Sequence, residues 1–305
     1  MVGESVFITQ LKGVCNVFWG FRLEFKQSLR TKKLWVILGV MMLLYIPGFY
    51  LQKSSGQEIE TVGQAVSTLI NGINGLGSFF IGILALLIGA TAINSEIEKG
   101  TLRVAMSKPI KRLSYIGGKF LAHTAVLLLA LLLTTVIGII GVVWLGAPVK
   151  GQLITDSLLL NGLLLLAMVQ LVALGYILST FIKSSNTALG VALVVMFVVF
   201  MIMPSVIQFM AAKDTLLSEN PDWQAYQEKS KEYQTKYLFY VPTTQIDVIV
   251  SDATVIEGDI ANPSIEYVGI GHAIKSNPTN LFNLAFLTLV YLAIAFYRFL
   301  RMDLR

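Results

Sequence analysis

The chain's densest set of reactive side chains is EIEKGTLRVAMSKPIKRLSYIGGK, from Glu96 to Lys119. Paired carboxylates such as Glu96 and Glu98 can serve as acid and base, but only where their environments push their pKa values apart. Here six basic residues (Lys99, Arg103, Lys108, Lys111, Arg112 and Lys119) hold both acids ionised. The composition suits a charged docking surface better than proton transfer. Gly100 permits a sharp change of direction. Thr101–Lys108 reads as a short apolar-basic helix carrying Leu102 and Arg103, ended by Pro109, and Arg112 and Lys119 lead back into apolar sequence.

Other chemistry is missing. There is no G-x-x-x-x-G-K-[ST] loop, and Gly117–Gly118–Lys119 lacks both the earlier glycine and the following hydroxyl residue. Neither a G-x-S-x-G elbow nor an H-E-x-x-H pair occurs. Cys15 is the lone cysteine, and His123 and His272 lie too far apart for a local metal motif. The chain is expected to carry no catalytic residue and no metal.

The elements that must position the Glu96–Lys119 segment are apolar. Hydrophobic residues make up 55% of the 305 positions and charged residues 13%, against about 25% charged in soluble domains. Spanning a bilayer takes about 20 apolar residues as helix. Six such runs can be read, at about 34–51, 73–94, 120–145, 157–181, 187–207 and 281–300. The expected fold is an all-α polytopic membrane protein with six transmembrane helices.

The basic residues orient it. With the N-terminus in the cytoplasm, the inner segments hold 16 basic and 5 acidic residues, and the outer segments 7 and 13. Both termini are then cytoplasmic and 95–119 is an inner loop. The net charge of +5 is explained by this bias, so nucleic acid is not an expected partner. A cleavable signal is not expected either, because the first apolar run begins only at Leu34.

The layout reads as a cytoplasmic N-terminus at 1–33, spans one to five over 34–207, an extracytoplasmic segment at 208–280, and span six with a basic tail at 281–305. Within 1–33, Phe18, Phe21, Phe25 and Leu29 fall on one helical face, and Arg22, Lys26 and Arg30 on another. This is the pattern of a helix lying in the interface against anionic lipid headgroups. In the outer segment, Trp223, Tyr226, Tyr233 and Tyr237 share a helical face. Ile246–Val250 and Thr254–Ile256 read as short β-prone pieces, and the whole as a folded external cap. Gly190 and Met203–Pro204 allow span five to bend. Asn71, Asn74, Asn161 and Gln170 are polar within or near the spans, serving as helix–helix glue or as lining of a substrate path. His123, near the inner end of span three, is expected to meet headgroups or a helix cap.

The run E-x-x-x-G-T-L, then K-P-I-x-R, then G-K, resembles the coupling-helix segment of type 2 ABC-transporter permeases. Glu96, Gly100, Thr101, Leu102, Pro109, Ile110, Arg112, Gly118 and Lys119 carry the match. The resemblance implies a dimer of permease subunits, identical or related, joined to two cytoplasmic ATPase subunits that bind ATP and Mg, with no cofactor in this chain. It implies export across the cell membrane, and the lack of charge in the spans favours lipid-like, peptide or drug-like substrates. The outer segment departs from the commoner pattern of a shorter loop with membrane-inserted helices. A receptor or assembly factor working through the cap, and a membrane-interface enzyme, are the alternatives.

Overall fold

The computed structural model describes residues 21–22, 24–30, 33–56, 58–72, 78–107, 110–215, 223–257 and 264–302. Phe18, Asn74, Lys108 and Pro109 lie outside them.

Helices dominate, because a chain this apolar leaves its backbone polar groups little water to bond and helices satisfy them internally. A helix over residues 24–30 (α1) precedes α2 (Lys33–Ser54), α3 (Val62–Gly72) and α4 (Ser78–Ala90). Two short helices, α5 (Asn94–Glu98) and α6 (Thr101–Met106), form an elbow before the long α7 (Arg112–Trp144) and α8 (Gly151–Phe181). Then come α9 (Ser185–Phe197), a π-helical turn (Val198–Ile202), α10 (Met203–Thr215), α11 (Trp223–Tyr237) and α12 (Pro242–Ser251). A hairpin of β1 (Thr254–Glu257) and β2 (Ser264–Tyr267), α13 (Ile270–Ser276) and α14 (Pro278–Arg301) complete the order.

Among the described residues, four continuous helices are long and apolar enough to cross a membrane: α7, α8, the α9–α10 helix over Ser185–Thr215, and α14. They extend beyond the apolar runs read from sequence because polar end residues keep their backbone bonds in the same helix. The run read at 73–94 differs most. Its described part, 78–94, holds α4, which ends at Ala90, then a turn and the start of α5, and α3 lies before the run. Met203–Pro204, where the sequence allows a bend, follows directly on the π-helical turn at Val198–Ile202, and Pro204 has no N–H to give to Phe200 four residues back.

The main core is an apolar cluster with α8 at its centre, packed against α4 on one side and α14 on another, and a smaller cluster gathers Ile207, Leu238 and Val241. Glycines allow the closest crossing. A Cβ at Gly175 on α8 would lie 2.4 Å from the Leu86 carbonyl oxygen and 2.6 Å from the Ala90 nitrogen, and one at Gly89 on α4 would lie 2.3 Å from the Val172 oxygen. Both obstacles are backbone, so no rotamer change relieves them. At one end of the bundle Phe120 of α7 stands edge-on to Tyr176 of α8 and Phe296 of α14, at 5.7 and 6.2 Å.

One element changes identity. Ile246–Val250 is helix, within α12, where its β-branched residues are buried between α8 and α14 apart from Asp247. Strand preference measures fit to a half-buried pleated surface, and packing among helices overrides it. Thr254–Ile256 is strand as expected, in register with Ile265–Tyr267.

Gly175→Ala should loosen the α4–α8 crossing. The expected loss is roughly 1–3 kcal/mol, as for overpacking in a tight interior, read as a lowered Tm in detergent with helix content unchanged.

Candidate functional site

Gly100 has a left-handed backbone, φ 70°, and this turns the chain between α5 and α6. A side chain meets nothing within 4 Å there, so the glycine is needed for the dihedral and not for space. The elbow is tied down on both sides. Ser179 Oγ of α8 accepts the amides of Ile93 (2.8 Å) and Asn94 (3.1 Å). Glu98 accepts the Ser185 amide at 2.8 Å, placing a carboxylate on the first turn of α9, where the helix dipole favours a negative charge. Leu102 is fully buried and anchors α6 in the core.

Behind the elbow sits a buried ionic cluster. Lys119 is 5% exposed, and its ammonium lies 2.5 Å from Glu96 Oε1 and 3.2 Å from Glu24 Oε2. The Tyr115 hydroxyl donates to Glu96 Oε2 at 2.6 Å. Glu24 Oε1 lies 3.1 Å from His123 Nε2, and the Tyr176 hydroxyl 3.0 Å from His123 Nδ1. An ionised Glu24 can only accept, so His123 Nε2 carries a proton. In the neutral ring Nδ1 then accepts from Tyr176. One ammonium therefore joins α1, the elbow and α7, and the histidine extends the joint to α8.

The partners of Glu24 set its ionisation. Burial alone would raise its pKa, but the hydrogen bond from His123 and the charge of Lys119 outweigh that and hold it at about 2. Below an ordinary carboxylate value, such a shift stabilises the folded state at pH above about 4.5 and ceases to do so as pH falls toward 2.

The residues expected to form one docking surface divide. Thr101 and Arg103 are exposed, with Lys99 and the 67%-exposed Val104 beside them. Leu102 and Lys119 face inward. Glu96 is largely covered by its bonds to Tyr115 and Lys119. Arg112 donates to the carbonyls of Leu300 (3.2 Å) and Met302 (2.9 Å), so it caps the last turn of α14. On α1, Phe25 and Leu29 pack on the core while Arg22, Lys26 and Arg30 are exposed, as the amphipathic reading requires.

Three expectations need correction or narrowing. His123 is buried between Glu24 and Tyr176 at 2% exposure and reaches neither headgroups nor a helix end. Asn161 donates to Thr135 at 2.6 Å and Gln170 to the Tyr240 carbonyl at 3.3 Å, both from buried positions, so they hold helices together and do not line an open path. Asn71 is exposed at the end of α3.

Glu24, Tyr115 and Tyr176 were not singled out in the sequence. Glu24 left a trace: it stands three residues after Phe21, an acid among the aromatics of a basic helix. The tyrosines left none.

Residues 19–304 match the family model of the ABC-2 family transporter proteins. The chain belongs to that family. It is also similar to proteins carrying the name "Probable ABC transporter permease protein NosY". The one from Stutzerimonas stutzeri is 26% identical over 191 residues, 60% of this chain and 66% of that protein. The one from Pseudomonas aeruginosa is 28% identical over 174 residues, 56% of this chain and 62% of that protein. The chain spans just under two thirds of the length of these curated relatives.

Lys119→Met should leave two buried carboxylates without their cation, at a cost of about 3–5 kcal/mol, seen as a large fall in Tm. A spin label replacing Lys26 should report α1 loosening as pH is lowered from 4.5 toward 2 in wild type, and no such step in Glu24→Gln.

Proposed function

We propose that the chain is the permease subunit of an ATP-driven ABC transporter and that its elbow, α5–α6, receives a separate ATPase subunit. The observation that carries this reading is the elbow's rigidity. It is bonded to α8 through Ser179, to α9 through Glu98, and to α7 and α1 through Lys119. A push on Thr101, Arg103 and Val104 therefore reaches four membrane-associated helices through these bonds. The exposed groups, one apolar and two cationic with Lys99, suit a groove on a folded protein better than a lipid surface alone.

In this reading the chain crosses the cell membrane six times, with α2 and the α3–α4 pair adding to the four long helices. Both termini and the elbow are cytoplasmic. α1 lies along the inner leaflet with Arg22, Lys26 and Arg30 toward anionic lipid. ATP and Mg are bound by the partner ATPase, and a second permease subunit, identical or related, completes the path. The membrane-facing surfaces are apolar, which favours export of lipid-like, peptide or drug-like molecules. Support for the permease role comes from the family match and from the similar NosY proteins.

Gly100→Pro puts a residue confined to φ near −65° where the backbone needs φ 70°. It should abolish transport in the reconstituted complex while membrane insertion is retained, and Glu96→Lys should do the same. Val104→Asp should leave the permease folded, with unchanged Tm, but reduce co-purification of the ATPase at least tenfold. Full ATPase recovery with Val104→Asp would place the docking surface elsewhere.

A further inference from the structure

We infer that Asp247 on α12 is a receiving group for a positively charged substrate in the outer half of the membrane. The inference rests on the permease reading above and adds a substrate class to it.

Depth is the first argument. The Arg298 guanidinium lies 5.1 Å from the Phe181 ring centroid, so the end of α8 and the last turn of α14 meet at one level. Pro278, where α14 begins, is twenty residues earlier, or about 30 Å along a helix, the thickness of the hydrocarbon core. Asn277 therefore marks the outer boundary. Gln170, eleven residues before Phe181, lies about 16 Å from the inner boundary, and it bonds the Tyr240 carbonyl just before α12. At the other end of α12, Asp252 accepts from Asn277 Nδ2 at 2.7 Å. Hence α12 rises from mid-membrane to the outer boundary. Asp247, five residues before Asp252, sits about 7 Å inside that boundary.

Orientation is the second. Pro242, Thr244–Ile246 and Val248–Val250 are buried, mostly against α8 and α14. Thr243, Asp247 and Ser251, at a spacing of four, form the open face, with Asp247 and Ser251 exposed. Among the described residues Asp247 has no hydrogen-bond or ion-pair partner, whereas Asp156, Asp214 and Asp252 each have one. A carboxylate at this depth, open and unpaired, is costly unless it takes up a proton or a positive charge comes to it.

The donor set narrows the ligand. One carboxylate flanked by two hydroxyls is too few for calcium, which takes six to eight oxygens, and no group of three His, Cys, Asp or Glu able to hold a metal occurs among the described residues. The fit is a single positive charge, an ammonium or guanidinium, on a body apolar enough to reach this level.

Tetraphenylphosphonium is the probe. Its binding to the full chain in nanodiscs, without ATP, should be saturable in wild type, at least tenfold weaker in Asp247→Asn, and near wild type in Asp247→Glu. Neutral triphenylphosphine oxide should compete poorly with it in wild type, a readout that stands if Asp247→Asn fails to fold. Equal tetraphenylphosphonium affinity in wild type and Asp247→Asn overturns the proposal. So does a loss of self-association in Asp247→Asn with cation binding intact, which would assign the carboxylate to a basic group of a second copy. Binding that follows Asp247 while ATP-driven transport is absent from the complex would keep this inference and sink the permease reading.

Discussion

A lysine ammonium cannot be buried alone. At the basic end of this bundle Lys119 is almost fully withdrawn from solvent, and the cost of removing its charge from water has to be met by opposite charges at contact distance. Its two carboxylates come from segments far apart in the chain, Glu24 before the first long helix and Glu96 at the elbow. Each acid keeps a second bond, to His123 and to Tyr115. The electrostatic requirement of one side chain thus pins α1 and the elbow to the same turn of α7. Removing any of the three charges leaves the others exposed to the same penalty.

The rest of the arrangement serves that joint. The Gly89–Gly175 crossing brings α4 close to α8, and the turn leaving α4 then meets Ser179. Glu98 and Arg112 place opposite charges at opposite kinds of helix end, the first turn of α9 and the last turn of α14, each with the sign the dipole favours. Among the described residues, what the elbow leaves exposed and unbonded is small: Lys99, Arg103 and Val104. A surface that small, mounted on so many bonded supports, suits the docking role proposed for it.

At the far end the structure is held by an ion pair and by tyrosine hydroxyls bonded to carboxylates. Tyr267 of the hairpin donates to Asp156 at 2.8 Å, Lys231 pairs with Asp252 at 2.5 Å, and Tyr233 donates to Asp214 at 2.7 Å. The hydrogen bond to Asp214 raises the Tyr233 phenol to about 12. These contacts fasten the hairpin to α8 and α11 to α10 and the end of α12, so the segment after α10 folds onto the bundle and does not trail from it.

Composition and periodicity by themselves determined the all-α membrane class, the long helices, the amphipathic N-terminal helix and the position of the elbow. Each of these follows from local rules: apolar length, the spacing of Phe21, Phe25 and Leu29, and the dihedral freedom of Gly100. Tertiary structure alone decided which charges meet. Glu24 and Lys119 are ninety-five residues apart, and nothing in the spacing of either predicts a bond. The same holds for His123, which local reasoning puts at the membrane surface and packing puts between Glu24 and Tyr176. It holds again for Ile246–Val250, whose side chains favour strand until α8 and α14 enclose them as helix. Periodicity reports which face of an element is apolar. Which other element that face finds, and which polar group is carried inside with it, depends on the whole chain closing at once.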